Sequence, residues 1–197
     1  MITDLFLKAK HWQLFLLLFG IPMAFEIYIM FTIMSDEWDP FRNPESASNP
    51  FLFFPIMMLF MLGTFFGWFW SIGVGLQPKL PKEIKMNAAF FKWSVWIPFG
   101  YTTALSLWAG ILVTNVFNTS RTGYGPGPIM ASGGILLILH LFAMFCIFYD
   151  MYFAAKTLKS VELQREAKFS DFAGEFFLIW FFPIGIWIIQ PRVNQLK

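Results

Sequence analysis

Cysteine is nearly missing from this 197-residue sequence, with Cys146 alone. A single thiol excludes an intrachain disulfide and any cysteine-built zinc or iron–sulfur centre. Charge is scarce too, at 13% of residues against roughly 25% in an ordinary soluble domain. A net charge of +2, with the basic residues scattered between apolar runs, leaves no footprint for nucleic acid. The sequence has no GxSxG elbow, no HExxH, no Walker loop and no GxGxxG. His11 and His140 are the only imidazoles, one at the edge of an apolar run and one near the middle of another, so a haem shared between them is excluded by depth. Catalysis therefore has little support, and neither a cofactor nor a metal is expected.

Apolar and aromatic side chains fill the space that charge leaves: 57% of residues are hydrophobic and 21% aromatic, with 27 Phe and 9 Trp. So few polar groups cannot cover a water-soluble fold, which makes lipid the solvent. A membrane-crossing helix needs ~20 mostly apolar residues, and residues 12–34, 51–76, 93–113 and 129–153 meet that length. A fifth run, 172–189, is short and is interrupted by Pro183 and Gly185. The expectation is one all-α polytopic membrane domain over residues 1–197, a helical bundle with four to five transmembrane helices whose last segment is kinked or re-entrant. A full fifth crossing is favoured over a hairpin, because unpaired backbone is costly in lipid unless protein encloses it. The first run is too long for a signal-peptide core of ~7–15 residues and is followed by no small-x-small site, so it reads as a retained helix.

Basic residues accumulate on the cytoplasmic side of bacterial membrane proteins. Lys8 and Lys10 precede the first run, Lys79, Lys82, Lys85 and Lys92 follow the second, and Lys156, Lys159, Arg165 and Lys168 follow the fourth. The opposite connectors hold only Arg42 and Arg121. This asymmetry predicts a multi-pass membrane protein with a cytoplasmic N-terminus. Segment 156–168 is expected to prolong the fourth helix, with Ser170 or Asp171 capping the next. Asp36, Glu37 and Asp39 lack the oxygen spacing of a calcium loop and read as a solvated acidic turn.

Gly63, Gly67, Ser71 and Gly75 recur every four residues, which puts all four on one helical face where another helix can approach closely. Glu26 and His140 are ionisable groups at membrane depth, where charge is expensive and usually faces a bundle interior or a wet cavity. Because their spans run antiparallel, the two fall at similar depth and form a candidate polar pair; two unconnected groups, each satisfied elsewhere, are the alternative. Asp150 and Glu175 are expected to pair at the cytoplasmic interface with Lys92 and Lys156. Ser71 and Ser106 lack a base at any defined spacing and read as packing residues.

Residues 76–87 (LQPKLPKEIKMN), 155–165 (AKTLKSVELQR) and 169–194, the last ending FFPIGIWIIQPRVN, resemble a family of uncharacterised polytopic inner-membrane proteins of Bacteroidota. The resemblance implies an inner membrane and brings no activity, cofactor or catalytic residue. It directs attention to the final block, where Pro183, Gly185, Gln190 and Arg192 are unusual residues for the end of a membrane helix. Three functions compete. One is a noncatalytic accessory or scaffold subunit, in contact with membrane lipid and complexed with other inner-membrane proteins. The second is a small transporter or channel component with Glu26 and His140 in its path. The third is a lipid-modifying enzyme.

Overall fold

The computed structural model describes residues 2–35, 53–119 and 133–197. The acidic turn, Arg42 and Arg121 lie outside the described residues. Among the described residues the chain is helical throughout, as apolar segments must be when lipid offers no hydrogen bonds to the backbone. Helix α1 is Ile2–Lys8. A break at Ala9 and Lys10 follows, where the Lys10 N–H donates to Gln13 Oε1 at 2.8 Å. Helix α2 then runs from His11–Phe15 through a π turn at Leu16–Gly20 into Ile21–Met34. Next come α3 (Phe54–Gly75), α4 (Ala88–Thr119), α5 (Gly133–Leu163), α6 (Phe169–Trp180) and α7 (Phe182–Gln195).

Three helices are long and apolar enough to cross a membrane: α2 over His11–Thr32, α3 over Pro55–Lys79 and α5 over Leu136–Leu163. Helix α4 contains the expected third run and is 32 residues long, but Tyr101, Thr102, Thr103 and Ser106 make it less uniformly apolar.

Helix α3 is the hub, packed against α1, α4 and α5. Its second half supplies Trp68, Phe69, Ile72 and Leu76, all fully buried. Phe91 of α4 stacks on Phe153 of α5 with ring centroids 4.4 Å apart, and the Phe91 ring covers Gly73 so closely that no side chain fits there. The buried core gathers where α3 and α5 end and α4 begins. Further out, α5 exposes Leu137, Ile138, Leu141, Phe142 and Phe145, and α2 exposes Ile27, Met30, Phe31 and Met34.

Segment 172–189 differs from the favoured single crossing. It belongs to two helices that meet at Phe181 (φ −86°, ψ 56°) and pack on each other. Pro183 does not kink a continuous helix; it occupies the first turn of α7, where a missing N–H costs nothing. Gly185 lies against the Leu178 carbonyl with no room for a Cβ, so glycine is required at the crossing of α6 and α7. With 12 and 14 residues, the helices are about 18 and 21 Å long, short of the ~30 Å hydrocarbon layer. Helix α6 packs on α5, and α7 packs on α1 and the base of α2. Helix α6 also starts earlier than expected: Lys168 is the cap residue, and Asp171, one turn in, accepts its N–H at 2.9 Å.

Candidate functional site

The densest polar cluster lies where α1, α3 and α7 converge. Gln190 is fully buried. Its Oε1 accepts the Trp68 indole N–H at 2.9 Å, and its Nε2 donates to the Phe6 and Ala9 carbonyls at 2.8 and 2.9 Å. An indole can only donate, so the Trp68 bond fixes which end of the amide faces α3. One turn later, Asn194 Nδ2 donates to the Leu7 and Ala9 carbonyls at 2.7 and 3.1 Å. A helix end leaves carbonyls without intrahelical partners; α7 supplies those partners from its side chains and so docks α1 onto the bundle.

An ionic cluster continues from this junction along α7. Arg192 forks onto Glu162, with Nε to Oε1 at 2.7 Å and Nη2 to Oε2 at 2.6 Å, and Nη2 also reaches Glu175 at 2.7 Å. Lys159 meets Glu175 at 2.9 Å and Glu162 at 3.5 Å. Two acids and two bases thus alternate across the ends of α5, α6 and α7, and the Glu175 side chain is only 8% exposed. Paired geometry of this kind offsets the cost of burying charge. At the α5–α6 turn, Lys156 binds Glu166 at 2.7 Å and Arg165 binds Asp171 at 2.9 Å. Those hydrogen bonds hold the Glu166 and Asp171 carboxyls below their usual range.

These pairings correct the expected ones. Glu175 meets Lys159 and Arg192 rather than Lys92 or Lys156, because α7 returns and brings Arg192 with it. Lys156 goes instead to Glu166. Asp150 pairs with no cation; fully buried on α5, it is hydrogen-bonded to Ser94 of α4, and its Oδ2 has no partner among the described residues.

The small-residue face of α3 divides in two. Phe6 of α1 lies over Gly67, its ring 2.7 Å from where a Cβ would stand, and Thr3 and Leu7 cover Gly75 at 2.6 and 2.9 Å. Ser71, fully buried between them, returns its hydroxyl to the Gly67 carbonyl at 2.8 Å. Gly63 faces open space, with nothing within 4 Å of a would-be Cβ.

Glu26 and His140 are not brought together. Both are exposed, on helices with different neighbours. The base of α2 packs on α7 and α3, with His11 4.7 Å and Phe15 5.6 Å from the Trp187 ring. His140 is beside α4, its ring 6.2 Å from Tyr101. Among the described residues Glu26 has no hydrogen-bond or ion-pair partner. Matched depth does not fix the direction in which a helix face points, and here the faces point outward.

The sequence singles out Gln190 and Arg192, and the i,i+3 spacing of Lys159 and Glu162 marks a pair that the structure contains at 3.5 Å, but Trp68 and Ser94 carry no such signal. An indole in an apolar helix carries no pattern that reveals a glutamine 122 positions away. Compared with known proteins, the chain matches no family model, no curated protein and no solved structure. The junction's chemistry is cohesive: its donors and acceptors are spent on one another and on the end of α1.

Proposed function

We propose that the protein is a noncatalytic accessory subunit of the bacterial inner membrane, which associates with other membrane proteins through the outer half of α2. The observation that carries this reading is Glu26. It is exposed on a helix whose neighbouring Met23, Ile27, Met30 and Phe31 are also exposed and apolar. Within the span His11–Thr32 it stands ~7 Å outward of the midpoint. A carboxylate facing lipid costs up to about 3 kcal/mol at a helix centre even on lenient insertion scales, and part of that cost at this depth. A partner offering a donor or a cation there removes that cost.

Four crossings, with α4 as the third, and α6–α7 as a re-entrant hairpin accommodate the same reading. The basic segments Lys79–Lys92 and Lys156–Lys168 and both termini then share the cytoplasmic side, in line with the positive-inside bias. Outward-facing Glu26 and His140 weigh against a polar path within one chain, and so against the transporter alternative.

Co-purification from native membranes in mild detergent tests the proposal. A stoichiometric membrane partner is expected with the wild-type chain, retained in part by Glu26→Gln and lost with Glu26→Leu. A partner retained undiminished by Glu26→Leu, or a wild-type chain that purifies alone, would overturn it.

A further inference from the structure

A groove of about 300 Å³ opens on the flank between α3 and α4, lined by Gly63, Gly67, Trp70, Val95, Trp96 and Phe99. That volume is at the low end for ligand sites. From Gly63 to Trp70 the groove follows α3 for about two turns, ~10 Å. The Trp70 and Trp96 rings meet edge to face 6.3 Å apart, and Phe66 and Phe99 do so at 6.0 Å.

Lys92 lies on the same stripe of α4 as Val95, Trp96 and Phe99, at helical spacings of three, four and seven residues, one turn nearer the end where the basic residues collect. It is exposed, and among the described residues no carboxylate pairs with it. Trp93 and Trp96 flank it, 70% and 57% exposed, as aromatic residues do at the headgroup level. An apolar slot thus leads to an uncompensated cation at the membrane interface.

We propose that this groove binds one anionic phospholipid, with an acyl chain over Gly63 and along the Trp70, Trp96 and Phe99 rings and the phosphate at Lys92. The charge of Lys92 selects the anionic head. The shape of the groove favours an acyl chain over a partner helix. Close helix crossing needs several small residues in a row, but α1 already covers Gly67 and Gly75, which leaves Gly63 as the one open step. A flexible chain needs only the slot.

Native mass spectrometry of the full chain in mild detergent, titrated with phosphatidylglycerol or phosphatidylcholine, tests the site. The wild type should retain one lipid, with about a five-fold preference for phosphatidylglycerol, as expected for one interfacial cation. Lys92→Gln should bring the two lipids to equal retention, whereas Lys85→Gln, in the loop, should leave the preference intact. Gly63→Leu should abolish retention of both without lowering the melting temperature, since the added side chain enters open space. Equal retention of the two lipids by the wild type, retention that survives Gly63→Leu, or a chain dimer that Gly63→Leu disperses would each overturn the proposal.

Discussion

Two glycines show how differently two faces of this molecule are built. Gly185 is pressed against the Leu178 backbone at the crossing of α6 and α7, whereas a side chain added at Gly63 would meet nothing within 4 Å. One face of α7, with Gly185, Ile186 and Ile189, is buried and its polar groups are answered: Gln190 by Trp68 and α1, Arg192 by Glu162 and Glu175. Toward the outer half, α2 and α5 carry large apolar side chains and two ionisable groups on their surface. The polar contacts within the chain gather where α7 meets α1, α3, α5 and α6, away from the exposed faces of α2 and α5.

The comparison breaks first at Gly185. Gly185→Ala forces a Cβ into backbone, and overpacking of this kind costs about 3 kcal/mol or more; thermal melting in detergent should show loss of the folded hairpin. Gly63→Ala in the same assay should shift stability by less than about 0.5 kcal/mol. Equal effects at the two positions would erase the distinction.

Next in size is Gln190→Leu. It strands the Trp68 indole N–H in the interior, where an unsatisfied group costs about 1–3 kcal/mol, and removes the shorter of the two hydrogen bonds to the Phe6 carbonyl. The loss should appear as faster hydrogen exchange in α1 as well as a lower melting temperature, because α1 docks through those bonds.

A smaller effect is expected from the ionic cluster. Arg192 is 27% exposed and Glu162 21%, so solvent screens their bidentate pair in part. A double-mutant cycle of Arg192→Met and Glu162→Gln should give a coupling of about 1–2 kcal/mol, reduced by salt.

Smallest is the pH response of the α5–α6 turn. Glu166 and Asp171 have lowered folded-state pKa values through their hydrogen bonds with Lys156 and Arg165. A lowered pKa contributes stability above the unfolded-state value, and that contribution disappears as pH falls through the folded-state value. Protection from exchange at residues 164–171, relative to the intrinsic rate at each pH, should therefore fall as pH drops through about 4 and below, and Asp171→Asn should show the lower protection already at neutral pH.

Much of this architecture can be read from the sequence, for identifiable reasons. Apolar runs of sufficient length have to be helices in lipid, and α2, α3 and α5 are such helices. The small face of α3 is visible as a four-residue spacing, but its cover is not: Ile2–Lys8 is too short and too mixed to advertise itself as a packing helix. Pro183 signals a break without saying whether the chain continues or returns. The return depends on Gly185 meeting Leu178 and on Arg192 meeting Glu162, contacts that no local pattern encodes. Glu26 and His140 failed as a pair for a related reason, since periodicity gives depth along a helix and neighbouring helices decide its rotation.

The central claim is that α2 presents Glu26 to another membrane protein. A photoreactive residue replacing Ile27 of α2, irradiated in native membranes, tests it most directly. The account predicts a discrete protein adduct larger than the chain itself, which disappears when Glu26→Leu is added. Cross-links to lipid alone, or a protein adduct indifferent to Glu26→Leu, would contradict it.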